Sequence, residues 1–164
     1  MKENKSIVIV EDEVEIGSYL KDLLEPLYSE VVYFNSALEA QENLRSRTYS
    51  LVMSDIKMPG LPGHELVEFL RSIGRIEPVV FITGHATHEV LLTAVRLGVS
   101  DVIEKPFDEV TLLESIQRIF EIEKRRFELY EAQSGQDKLA SSDHQKKKMI
   151  GLLQVVNSRK KSNY

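Results

Sequence analysis

The sequence predicts an α/β fold built on a parallel sheet. Five short aliphatic runs, rich in β-branched residues and bounded by polar or turn residues, have the character of strands covered on both faces. Segments of helical periodicity separate them, so strand and helix alternate five times, which is the pattern of parallel layer folds. A chain of 164 residues accommodates one domain with a full core and some additional sequence.

The first strand is predicted at Ile7–Val10, four aliphatic residues in a row. A helix over Val14–Leu27 places Ile16, Leu20, Leu23, Leu24 and Leu27 on one stripe. Val31–Phe34 forms the second strand, and Asn35-Ser36 marks the start of a shorter helix, Ala37–Leu44. Leu51–Met53 is the third strand, followed by a helix over His64–Ile73 carrying Leu66, Phe69, Leu70 and Ile73. Val79–Thr83 is the fourth strand, and the helix Thr87–Leu97 carries Val90, Leu91, Ala94, Val95 and Leu97. The fifth strand is Val102–Ile103, and Asp108, after Pro106-Phe107, opens a fifth helix.

That helix overruns the domain. Leu113, Ile116, Phe120, Phe127 and Tyr130 keep an a/d-like spacing broken by Glu123, and Glu121 with Arg125 forms an i,i+4 pair suited to an exposed extension. The stretch from Gln133 to Gln136 reads as a break, and Ser142 with Gln145 as a capping box. Beyond it Met149, Leu152, Leu153 and Val156 make an apolar stripe beside Lys146, Lys147 and Lys148. The expected organisation is one domain over residues 1–125 and a helical extension over 126–164 without a recognisable output domain.

Composition narrows the function classes. With 42% hydrophobic and 29% charged residues the chain has a globular make-up, and no apolar run approaches the roughly 20 residues of a membrane span. The N-terminus lacks the charged-then-apolar pattern of a leader. Cysteine is absent, which excludes disulfides, thiolate metal sites and a cysteine nucleophile. A cytoplasmic protein is expected. The net charge of −5 is unevenly spread: 14 basic and 24 acidic residues up to Gln136, then 7 basic and 2 acidic. The basic end is therefore expected to be a separate unit.

Ligands of open parallel sheets bind beyond the carboxyl ends of the strands. The first run ends in Glu11-Asp12, the third in Asp55 and the fourth in Thr83, while the fifth leads to Lys105. If those strands are neighbours, three carboxylates, a hydroxyl and an ammonium converge on one rim. Such a cluster calls for a hard cation, and Mg²⁺ takes one or two carboxylates together with waters and phosphate oxygens. Asp55 is then the candidate nucleophile towards phosphorus, with the ion and Lys105 stabilising charge on the phosphoryl oxygens. Blander readings stand beside this one. Adjacent acids favour a helix N-terminus, and an Asp before a Pro/Gly loop often caps its own turn. Gly60 and Gly63 are read as serving backbone geometry.

The stretches "VEDE", "SDIKMPGLPG", "FITGH" and "VIEKPF" together resemble the signatures of response-regulator receiver domains, over residues 6 to about 122. The resemblance implies a flavodoxin-like, doubly wound five-stranded sheet of order 2-1-3-4-5 with the extension appended. It implies that Asp55 accepts a phosphoryl group from a histidine kinase or phosphotransfer protein. Asp12 would bind Mg²⁺ directly, Glu11 through water and Lys57 through its backbone carbonyl. Thr83 would move to the phosphoryl group, Lys105 would pair with it, and the Lys105–Pro106 bond would be cis. Lys57 and His85, at the rim, would tune the lifetime of the phosphoryl group. One departure concerns the position three residues before Lys105. Many receivers have an aromatic there that swings inward, and this chain has Val102.

Other phosphotransferases with an aspartyl nucleophile commonly carry a second Asp two residues later. Here that residue is Lys57, so a non-enzymatic switch is expected. Its output is read as binding a downstream protein or passing the phosphoryl group on. Self-association through the extended fifth helix is the second reading. Nucleic acid or a membrane surface, bound through Lys146–Lys148 and Arg159–Lys161, is a third and less favoured one.

Overall fold

The computed structural model describes residues 1–133. Residues 1–119 form one compact unit, and the described residues from Phe120 to Gln133 group separately. Five parallel strands, β1 (Glu3–Val10), β2 (Tyr28–Phe34), β3 (Leu51–Asp55), β4 (Val79–Thr83) and β5 (Asp101–Glu104), assemble in the order β2-β1-β3-β4-β5. The connecting helices are α1 (Val14–Leu24), α2 (Ala37–Ser46), α3 (Gly63–Ser72) and α4 (His88–Leu97). A fifth helix, α5, begins at 109 and continues to the end of the described residues.

β1, β3 and β4 form the centre of the sheet. Ile7, Val8, Ile9 and Val10 have no exposed surface, and neither do Leu51, Val52 and Met53. Both faces of these strands are covered, which is why their sequence is aliphatic without alternation. Register places Val10 beside Ser54 and Asp55 beside Ile82, so the carboxyl ends of β1, β3 and β4 finish at one level. That alignment sets the rim on which the acids lie.

Several boundaries differ from the sequence expectation. β1 begins four residues early because polar Glu3–Ser6 pairs with β2 at the sheet edge. α1 stops at Leu24 instead of Leu27: Pro26 cannot continue the hydrogen-bond ladder, and Leu27 is exposed. On α4 the expected stripe is rotated. Ala94 is the buried residue and Val90 and Leu97 pack partly on the core, while Leu91 and Val95 are 44% and 78% exposed. Positions 90, 94 and 97 share the inner face; 91 and 95 lie about 100° further round.

In α5 the expected seam divides. Ile116 and Phe120 are buried, with Leu112 and Ile119, which the a/d reading omitted, whereas Phe127 and Tyr130 are exposed. An ion pair joins Glu123 to Arg126 at 2.7 Å. Asp108 caps α5, accepting from the Thr111 N–H at 2.9 Å, as the sequence signal requires. The expected capping box at Ser142, the stripe from Met149 to Val156, and the basic clusters at 146–148 and 159–161 lie outside the described residues. No helix among the described residues is long and apolar enough to cross a membrane.

Candidate phosphoacceptor and metal site

Glu11 follows β1 directly, Asp55 ends β3, Thr83 ends β4 and Lys105 follows β5. The shared strand direction therefore brings together residues up to 94 positions apart in sequence. Carboxylate oxygens of Glu11, Asp12 and Asp55 lie within 4.8 Å of one another. At that separation each pair of full charges repels by about 3 kcal/mol in a partly shielded setting.

Lys105 is the cation facing them. Its Nζ lies 2.7 Å from Asp55 Oδ2, 2.8 Å from Glu11 Oε2 and 3.2 Å from Glu13 Oε1. Burial lowers the affinity of its ammonium for the proton, but the carboxylates of Asp55 and Glu11 outweigh this and raise its pKa above the ordinary lysine value. Glu11 is only 1% exposed. Burial pushes its carboxyl up to about 7, and the neighbouring Asp55 charge adds to the shift, against the pull of Lys105. Its Oε1 accepts from the Glu13 N–H at 3.3 Å, while Oε2, despite its closeness to Nζ, has no aligned hydrogen-bond donor.

The donor set fits a divalent cation. Glu11, Asp12 and Asp55 converge, Glu13 lies beside the same ammonium, and the acidic groups thus outnumber the one cation facing them, while the buried Glu11 Oε2 has no aligned donor. Hard oxygen ligands converging in this way suit Mg²⁺. Asp12 is half-buried, and with Lys57 it lines an open cleft of about 790 Å³ between the β3–α3 loop and α4.

The loops fix the orientation of Asp55. Its Oδ1 accepts from the Lys57 N–H at 2.9 Å. Gly63, at the start of α3, donates its N–H to the Ile56 carbonyl, and a Cβ there would sit 1.9 Å from the Asp55 carbonyl oxygen. Only a glycine allows α3 to begin so close to the phosphoacceptor candidate. Gly60 lies in the same loop at φ +79°, where side chains other than glycine are strained.

The remaining expected residues sit nearby. Thr83 is fully buried, and its hydroxyl is engaged with the exposed His85, accepting from the His85 N–H at 3.2 Å and donating to its carbonyl at 3.3 Å. The side chain of Lys57 is exposed. Val102, half-buried, packs against the core, and the Lys105–Pro106 peptide bond is cis. Sequence reasoning assigned no role to two residues of this neighbourhood. Glu13, the third acid of "VEDE", holds Lys105, and its place in the acidic run was the available signal. Tyr33, which donates its hydroxyl to the Glu11 carbonyl at 2.9 Å, is indistinguishable in sequence from an ordinary strand aromatic.

Comparison with known proteins identifies the family of the chain. The family model for the response regulator receiver domain matches residues 7–117. Chemotaxis protein CheY-3 of Vibrio cholerae is 32% identical over 124 residues, covering 74% of this chain and 95% of that protein. Nodulation protein W of Bradyrhizobium diazoefficiens is 31% identical over 125 residues, 76% of this chain and 55% of that protein. The hybrid signal transduction histidine kinase D of Dictyostelium discoideum is 30% identical over 153 residues, and the chain spans 9% of its length. Among solved structures, a CheY-like receiver domain protein from Methanospirillum hungatei superposes with a TM-score of 0.71 at 27% identity, covering 76% of this chain and 99% of that one.

Proposed function

This chain belongs to the response regulator receiver family, and we propose that it is a phosphorylation-dependent switch whose phosphoacceptor is Asp55. The observation that carries the proposal is the convergence of Glu11, Asp12 and Asp55 within 4.8 Å, with Lys105 Nζ 2.7 Å from Asp55. Asp12, Asp55 and the Lys57 carbonyl, with Glu11 through water, would hold Mg²⁺, which when bound would supply positive charge to the carboxylates and to the phosphoryl oxygens. Asp55, oriented by the Lys57 N–H, forms the new oxygen–phosphorus bond. The donor's bond to phosphorus breaks, and its electron pair leaves with the donor. Lys105 then pairs with the added phosphoryl oxygens, and the Thr83 hydroxyl exchanges its His85 partner for one of them.

A histidine kinase or phosphotransfer protein is the proposed donor, and a protein partner the reader of the switch. The protein acts as a switch and not as a turnover enzyme, since Lys57 stands where dedicated aspartyl hydrolases commonly carry a second Asp. Exposed Phe127 and Tyr130, one helical turn apart on residues 120–133, favour self-association as a second readout. A mass in solution that rises with concentration, and ceases to do so in Phe127→Ala/Tyr130→Ala, tests that part.

The central test is incubation with acetyl phosphate and Mg²⁺ followed by intact mass measurement. One phosphoryl group is expected on the wild-type chain and none on Asp55→Asn. Equal labelling of Asp55→Asn, or labelling unaffected by a chelator, overturns the proposal.

A further inference from the structure

We infer that Tyr33 is a positioning residue for the metal-binding acids, acting through the main chain of Glu11; the inference rests on the magnesium reading above. β1 and β2 stay in register up to Val10 and Phe34, and Glu11 lies just beyond the last pair. Two consecutive residues of β2 nevertheless hold its backbone. The Phe34 carbonyl accepts the Glu11 N–H at 3.1 Å, and the Tyr33 hydroxyl donates to the Glu11 carbonyl at 2.9 Å. The tyrosine thus extends the strand ladder by one rung with a side chain. A sheltered carbonyl needs such a partner. The peptide group is planar, so fixing the Glu11 carbonyl also fixes the direction of the Asp12 N–Cα bond, about which that side chain is then set.

The ring has a built seat. Gly17 is a buried residue within α1, where glycine is a poor helix former. A Cβ there would lie 2.2 Å from Tyr33 Cε2, inside the ring's own space. The glycine leaves room for the aromatic ring, and its N–H donates to the Glu13 carbonyl at 2.9 Å. The acidic turn is therefore held from β2 by Tyr33 and Phe34, and from α1 by Gly17.

The test is Mg²⁺ titration of the full chain by calorimetry at fixed pH, with melting midpoints measured in parallel. Tyr33→Phe keeps the ring and removes the donor. It is expected to weaken Mg²⁺ binding about fivefold, the factor equivalent to one neutral hydrogen bond. Gly17→Ala displaces the ring and is expected to weaken binding similarly. The double variant should bind no more weakly than the weaker single one, because both act through one contact. A lowered midpoint with an unchanged dissociation constant in Tyr33→Phe, or additive losses in the double variant, overturns the inference. Wild-type protein that binds Mg²⁺ while Tyr33→Phe binds it equally well sinks this inference alone. Wild-type protein that binds no Mg²⁺ sinks the underlying magnesium reading as well.

Discussion

Magnesium affinity is expected to rise with pH between about pH 6 and pH 8 and to level off above, because a proton and the ion compete for Glu11. Burial, reinforced by the Asp55 charge, lifts the Glu11 carboxyl to about 7 in the metal-free protein. Roughly nine-tenths of the molecules then carry the proton at about pH 6, and roughly one-tenth at about pH 8. The apparent dissociation constant should therefore tighten about tenfold across this interval. The same shift acts on stability. The folded chain holds this proton more tightly than the unfolded chain, so the contribution is fully present below the unfolded value of 4.5 and is lost as pH rises through about 7. The loss amounts to about 3 kcal/mol in the metal-free protein, and saturating Mg²⁺ should restore it. Calorimetric titrations between about pH 6 and pH 8 and urea unfolding from about pH 4 to about pH 8, on wild type and Glu11→Gln, provide the assay. Glu11→Gln mimics the protonated carboxyl and should bind Mg²⁺ weakly with little dependence on pH. A flat wild-type profile, or an undiminished slope in Glu11→Gln, refutes the reasoning.

Three further outcomes follow from the same geometry. Lys105→Met removes the cation lying 2.7 Å from Asp55 and 2.8 Å from Glu11, and should destabilise the metal-free protein by about 3 kcal/mol near pH 8. Urea unfolding should show much of that loss recovered by Mg²⁺, and an unchanged midpoint would contradict the pairing. Gly63→Ala places a methyl 1.9 Å from the Asp55 carbonyl oxygen, so it should lower stability by about 2 kcal/mol and slow labelling by acetyl phosphate in an intact-mass time course. Replacing Lys57 and His85 together with alanine should change the half-life of the phosphorylated form by at least about threefold, or roughly 0.7 kcal/mol in barrier. Timed loss of label checks this, and an unaltered half-life rejects their tuning role.

The central strands β1, β3 and β4 were legible because burial on both faces leaves a contiguous aliphatic signature, and Ile7–Val10 has no exposed surface at all, while the edge strands β2 and β5 were legible from short runs only partly buried. The residues at strand ends were legible for a related reason, since a parallel sheet aligns its carboxyl edges. Residues whose role depends on a neighbour from another element were not. Gly17 looks like a helix defect until the Tyr33 ring is seen in its place. Tyr33 looks like a core aromatic until its hydroxyl is found on Glu11. The outer aliphatics of α4 misled for the opposite reason: Leu91 and Val95 fit a helical stripe, but the choice of inward face depends on how α4 meets the sheet, and the small residue Ala94 took it. Polar Glu3–Ser6 was omitted from β1 because edge pairing demands no hydrophobicity.

The electrostatic arrangement explains why a site so costly to the metal-free fold suits a switch. One ammonium faces three carboxylates, at 2.7, 2.8 and 3.2 Å. Glu13 is the most exposed of them, so water can replace Lys105 there at little cost. Glu11, sealed from solvent, has no such substitute, which is why its proton affinity rises. On the proposed function, phosphorylation carries Asp55 from one negative charge to nearly two and moves that charge outward onto phosphoryl oxygens. The balance among the three contacts then tips. Lys105 follows the larger charge, its contact with Glu13 is the first to be given up, and Glu11 depends on the metal. Charge added at one carboxylate is thereby passed to the acidic turn after β1 and to the end of β5 through a single lysine.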